Sequence, residues 1–296
     1  MKGFFATLLL ALLAGCATAP PAPEGICRAA RPRGAGTDVD SASWLSLLLH
    51  SYDPRTGQVV GGLLDCTGTP IAWQELDDTC GARSETALPV GKLAPSSVVV
   101  EALDDSTRLV WVAAQRFPNG DALGPLARVS IQTDALVVLA TGSARSGPER
   151  VHLKLQKLND VELAVLEGDR CEGTACQRFA RLLPQRGRRF IPEPFRLPSG
   201  SCAGPAVLAI KRQLEKPLPS GLQRIFELES TLAFSPLQLS VHEQLLIRDR
   251  DPRQPSAPAR LYRSAQDDRT VTAATDKLLV DKPSLWARLS EFSDAR

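Results

Sequence analysis

Apolar and polar positions alternate along much of this chain, the period expected of half-buried strands. Val151, Leu153 and Leu155 alternate with His152, Lys154 and Gln156, and Leu237, Leu239 and Val241 alternate with Gln238, Ser240 and His242. Further runs rich in β-branched and aromatic residues cover 98–101, 108–117, 128–133, 135–141, 161–166, 177–183, 224–234, 244–248, 260–263 and 270–273. Turn-forming clusters separate them: Asp104-Asp105-Ser106, Pro118-Asn119-Gly120-Asp121, Arg145-Ser146-Gly147-Pro148, Asn159-Asp160 and Gln266-Asp267-Asp268. Short strands joined by short turns pair antiparallel, because a parallel pair needs a long crossover. The expected fold is mainly β, an antiparallel sandwich or an open barrel with one or two short helices.

Helical signal is sparse. Segment 41–50 reads as a helix capped by Asp40 or Ser41, with Trp44, Leu47 and Leu48 on one face. A second covers 283–292, where Leu285, Trp286 and Leu289 share a face. Segment 205–216 fits a helix through Val207, Ile210 and Leu214, and equally a buried strand through Val207-Leu208-Ala209-Ile210. The Pro-rich stretch 184–198 suggests that the body, 38–296, divides into two halves near 184–204, and the loop 249–259 carries three prolines.

The N-terminus is of another kind. Met1 and Lys2 precede an apolar run over 4–13, too short to span a bilayer and suited to a secretory signal, and the run ends in Leu13-Ala14-Gly15-Cys16. This four-residue sequence resembles the lipobox of bacterial lipoproteins. The resemblance implies that 1–15 is cleaved, that Cys16 carries a diacylglyceryl thioether, and that the new amino terminus is acylated. It also implies an outer-membrane destination, since Ala17 stands where an Asp would signal inner-membrane retention. Two or three acyl chains anchor stably where one binds marginally. Residues 16–37, rich in Pro, Ala and Gly, then read as a solvated tether. The cadence Leu-Glu-Gly-Asp-Arg-Cys…Cys-Gln-Arg-Phe-Ala-Arg-Leu-Leu-Pro in the body also resembles lipoproteins of GC-rich bacteria, a likeness that brings no activity with it.

Of seven cysteines, six remain once Cys16 is lipidated: Cys27, Cys66, Cys80, Cys171, Cys176 and Cys202. An even set in an exported chain reads as three disulfides with 15 connectivities open. Proximity in sequence favours Cys171 with Cys176 and Cys66 with Cys80, leaving Cys27 with Cys202. Metal ligation has little support, because the spacing lacks a second CxxC or paired His, and the chain has only 3 His.

No P-loop, dinucleotide fingerprint, HExxH helix or EF-hand loop occurs in the sequence. Gly200-Ser201-Cys202-Ala203-Gly204 has the outline of a nucleophile elbow, with His242 as base and Asp249 as its orienter. Pro192, Pro194 and Pro198 argue against the central strand such an elbow requires, and a disulfide is the simpler use of Cys202. The carboxylate groups at Glu75, Asp77 and Asp78, at Glu101, Asp104 and Asp105, and at Asp267 and Asp268 sit in turn contexts. Charge adds one feature. With 35 Lys plus Arg against 33 Asp plus Glu, a dedicated nucleic-acid binder is disfavoured. Yet Arg178, Arg181, Arg186, Arg188 and Arg189 fall close together without an acid among them, a candidate contact for anions or a protein partner.

The sequence therefore leads to a lipid-anchored cell-envelope protein without catalytic residues, cofactor or metal. A non-enzymatic binding or accessory module is the leading expectation, joined to the membrane by its lipid and to an envelope partner. A glycan hydrolase and a lipocalin-like carrier of an apolar ligand are the alternatives.

Overall fold

The computed structural model describes residues 24–32, 38–77, 79–83, 85–89, 91–172, 175–254 and 256–293. The expected signal sequence and Cys16 lie outside the described residues. Among the described residues the chain is mainly β, with two short α-helices. Its principal strands are β1 (Cys27–Ala30), β2 (Val98–Ala102), β3 (Thr107–Val112), β4 (Ala122–Ile131), β5 (Ala135–Ser146), β6 (Glu149–Leu158), β7 (Val161–Glu172) and β8 (Ala175–Arg186). There follow β9 (Arg189–Phe190), β10 (Pro194–Arg196), β11 (Cys202–Pro205), β12 (Val207–Pro217), β13 (Gln223–Phe234), β14 (Leu239–Arg250), β15 (Arg260–Ala274) and β16 (Lys277–Val280).

Antiparallel pairing of β2, β3, β4 and β5 makes the first sheet, and β1 and β9 share the far edge of β5. One face of this sheet, through Val110, Val112, Leu123, Ala127, Leu136 and Val138, packs on helix α1 (Ser41–Leu48). Asp40 caps that helix, its carboxylate accepting from the Ser43 amide at 2.7 Å, as the capping rule leads one to expect. The opposite face, through Leu109, Trp111, Leu126 and Ala144, packs on Leu153, Ala164, Leu166 and Leu183 of β6, β7 and β8. Alternation thus buries both faces of the first sheet.

The second sheet runs β6–β7–β8–β12–β13–β14–β15–β16 in antiparallel steps. It then returns on itself, since β16 pairs in parallel with β10, which pairs with β11, and β11 leads through Ala206 directly into β12. The result is a ring of strands closed at one end. Leu163, Val165, Leu182, Leu208, Val241, Val271 and Leu278 fill the space between it and β6–β8. At the other end the 283–293 segment lays Leu285, Trp286, Leu289 and Phe292 against Phe226, Leu228, Leu245 and Ile247.

Several expectations are corrected. The chain does not leave the fold at 37: residues 27–30 form an edge strand on β5, so the tether is shorter than 16–37. Segment 184–204 is a crossing and not a boundary, because β8 pairs with β9 on the first sheet and with β7 and β12 on the second. Among the described residues it also supplies two parallel pairings, β5 with β9 and β10 with β16, in a fold that is otherwise antiparallel. No turn interrupts 266–268; β15 runs unbroken because nearly every residue has a partner on the long β14. Segment 205–216 is strand. Segment 283–292 buries the expected face, but the α-helix is confined to Ser290–Ser293, and the Leu285 amide donates to Glu243. Leu237 lies in a turn, 69% exposed.

The six cysteines pair as Cys27–Cys66, Cys80–Cys202 and Cys171–Cys176. The hairpin bridge is the one proximity suggested. The pairings Cys66–Cys80 and Cys27–Cys202 are overturned, because β1 passes beside the loop carrying Cys66, while the short hairpin around Cys80 lies on β11. Three disulfides indicate an oxidising, exported compartment.

Candidate ligand cleft

Two concentrations of charge stand out, and they differ in how completely their groups are partnered. The first is buried between the sheets. Arg145, on β5 and 2% exposed, donates from Nε to Asp121 at 2.8 Å and from Nη1 to Glu75 at 3.0 Å and Glu85 at 2.6 Å. Its guanidinium lies over the Phe117 ring at 3.9 Å. Arg181, on β8, reaches Glu75 at 3.5 Å and Asp121 at 3.4 Å and stands over Trp73. The Trp73 indole N–H donates to Glu75 at 2.7 Å. Burial pulls Arg145 down, but Asp121 and Glu75 outweigh it and hold the group above the ordinary arginine range. For Arg181 burial wins, and the group stands below that range despite Glu75 and Asp121. Every charge has an opposite partner, so this cluster fixes the 73–85 hairpin on the sheets. It commits its three carboxylates to guanidinium groups, where a hydrolase would need one of them free.

The second concentration borders a cleft of about 580 Å³ where β6–β8 meet β12–β14. Its lining includes Arg150, Asp169, Arg178, Ile210, Lys211, Glu229, Ser230, Thr231, His242 and Gln244. Register builds it. Asp169 stands opposite Arg178, Arg178 opposite Lys211, Lys211 opposite Glu229, and Glu229 opposite Gln244, a row crossing five strands at about 4.8 Å per step. Thr231 and His242 face each other two positions along.

Two bulges shape the row. On β12, Ile210 is an extra residue between the partners of Arg178 and Phe179, which turns the strand so that Lys211 meets Arg178. On β6, Arg150 and Val151 stand against Gly168 alone, and Arg150 adopts a left-handed backbone with φ 46 that sends its guanidinium to Asp169. Bulges commonly re-aim side chains at functional sites. Gly147 and Gly168 let the backbones close up here, since a Cβ on either would collide with the other segment.

Partnering in the cleft is incomplete. Arg178 is held by Glu167 at 3.2 Å and Asp169 at 3.5 Å. Lys211 and Glu229 form no ion pair among the described residues, with each other or with any third group, although they face one another across strands. Ser230, between Glu229 and Thr231, turns its side chain to the opposite, buried face of β13, opposite Glu243, and so lies behind the row. His242 Nδ1 lies 2.7 Å from Asp268.

The sequence-derived candidates scatter. Arg178 and Arg181 point to opposite faces of β8, Arg186 pairs with Glu193 at 2.8 Å, Arg189 pairs with Asp65 at 2.9 Å, and Arg188 is exposed on a turn. These five do not form one basic face, because strand alternation separates them and acids, some from neighbouring strands and some from distant segments, meet four of them. The elbow does not assemble: Cys202 is bonded to Cys80, Asp249 pairs with Arg224, and the partner of His242 is Asp268. Lys211, Glu229, Ser230 and Thr231 carried no signal that sequence reading could use, since the row exists only once register and the Ile210 bulge are known. No protein-family model, curated protein or solved structure gives a significant match to this chain.

Proposed function

We propose that this protein is an exported, lipid-anchored binding module of the cell envelope that holds a polar ligand in the Lys211 cleft. The observation that carries the reading is the cleft's incomplete partnering: Lys211 and Glu229, without ion pairs, stand in line with Arg178 around about 580 Å³. That volume falls in the range of small-molecule sites. Apart from Ile210 and Cys176 the lining residues carry polar or charged groups, and none is Phe, Tyr or Trp, which suits a ligand with polar groups to match.

The lipobox-like Leu13-Ala14-Gly15-Cys16 supports an anchor at Cys16, in the outer membrane by its Ala17. The Ile26 amide donates to Val138 at 2.7 Å, so the fold begins by residue 26. Residues 17–26 span at most about 35 Å, which keeps the first strand within that reach of the proposed anchor.

The test places a photo-crosslinking amino acid at Thr231 in living cells, with the same substitution at exposed Val60 as the control. A small-molecule or glycan adduct specific to Thr231 supports the reading; equal labelling at both positions, or none at Thr231, overturns it. Fatty-acid labelling that marks the wild type and not Cys16→Ser supports the anchor, and equal labelling removes it.

A further inference from the structure

The cleft's ligand has a definite chemistry. We infer that it carries a carboxylate or phosphate oxyanion seated between Lys211 and Arg178, an inference that rests on the cleft being a binding site. Arg178 and Lys211 stand directly opposite each other on β8 and β12, and like charges in that position repel. Arg178 is compensated from its own sheet by Glu167 and Asp169, both on β7. The acid opposite Lys211, Glu229, forms no ion pair with it, and the bulge at Ile210 is what brings Lys211 opposite Arg178 in place of continuing the regular register. A regular strand would avoid the juxtaposition, and an oxyanion bridging the two cations turns it into an attraction.

Groups of both signs face this position. Arg150 and Arg178 are drawn onto Asp169, which is 2% exposed and has one carboxylate oxygen that accepts no hydrogen bond. Glu229 lies one strand beyond Lys211 and repels a bare oxyanion. The natural ligand therefore presents hydroxyl or ammonium donors toward Glu229 and hydrogen-bonding groups toward Thr231 and Gln244. An oxyanion at one end and donors at the other describe a small polar solute or the charged end of a polymer.

The experiment titrates the full exported chain with inorganic phosphate and, separately, with succinate at constant ionic strength, followed by calorimetry and by amide chemical shifts. Saturable binding of one of them, with shifts confined to the cleft, identifies the anion as phosphate-like or carboxylate-like. Lys211→Gln is expected to weaken it roughly tenfold, the loss of one charge-assisted contact. Glu229→Gln is expected to strengthen it, and Lys277→Gln, on a distant hairpin, to leave it unchanged. Absence of saturable binding in the wild type, or wild-type affinity in Lys211→Gln, overturns the inference. If Thr231 captures a ligand in cells that bears no oxyanion, the binding-module reading stands and this inference fails; if Thr231 captures nothing, both fail.

Discussion

The Arg145 cluster and the Lys211 cleft are built from the same residue types, and they differ in whether the charges are matched. Around Arg145 and Arg181, the carboxylates of Glu75 and Glu85 from one hairpin and of Asp121 from the turn before β4 meet guanidinium donors at 2.6 to 3.5 Å. Around Lys211, the register opposes two cations and leaves Glu229 without an ion pair. Matched charge in a buried place holds segments together. Mismatched charge at the edge of a cleft raises the energy of the empty protein and is relieved by whatever completes it, the usual trade between stability and function.

That contrast can be broken most forcefully at the matched site. Arg145→Ala leaves Glu75, Glu85 and Asp121 with one arginine fewer in a buried place, and urea unfolding is expected to show a loss of about 3–5 kcal/mol. A loss under 1 kcal/mol would mean that the cluster does not organise the fold. The disulfide between Cys80 and Cys202, separated by 122 residues, holds the same hairpin from the other side. Replacing both cysteines by Ser is expected to cost about 2–4 kcal/mol. Combined with Arg145→Ala the effects should be less than additive, because either change frees the hairpin; strict additivity in the cycle would show the two constraints to be independent.

A smaller effect is expected from pH. Burial pushes the Asp267 carboxyl up, but Lys282 and Arg288 outweigh it and hold the group below the usual carboxylate range. A depressed carboxylate contributes stability above its unfolded pKa of about 4 and loses it as pH falls through the lower folded value. Melting temperatures between pH 5 and pH 2 should therefore fall more steeply in the wild type than in Asp267→Asn, and parallel curves would contradict the assignment. At the cleft, Thr231→Val is expected to leave stability within about 0.5 kcal/mol while altering ligand capture.

The fold class was legible because alternation is strong where a strand has one dry face, as in Val151, Leu153 and Leu155 on β6. The α1 helix was legible through Asp40 and the spacing of Trp44, Leu47 and Leu48. Where both faces are buried, alternation fades, and so β4 and β5 extend well beyond the runs 128–133 and 135–141. The disulfides involving Cys27, Cys66, Cys80 and Cys202 were not legible, since sequence separation says little about which loops a ring of strands brings together. The cleft was least legible of all. Lys211 looks like any lysine following an apolar strand, and its meaning depends on a one-residue bulge at Ile210 that moves it opposite Arg178.

The most direct test of that mismatch is urea unfolding of Lys211→Gln beside the wild type, with and without the anion that calorimetry selects. Without anion, Lys211→Gln should be as stable as the wild type or more stable by about 0.2–1 kcal/mol, because a like-charge opposition is removed. With saturating anion, the wild type should gain stability and the variant should not. A variant destabilised by more than about 1 kcal/mol without anion, or stabilised by anion as much as the wild type, would show that Lys211 serves the fold and not a ligand.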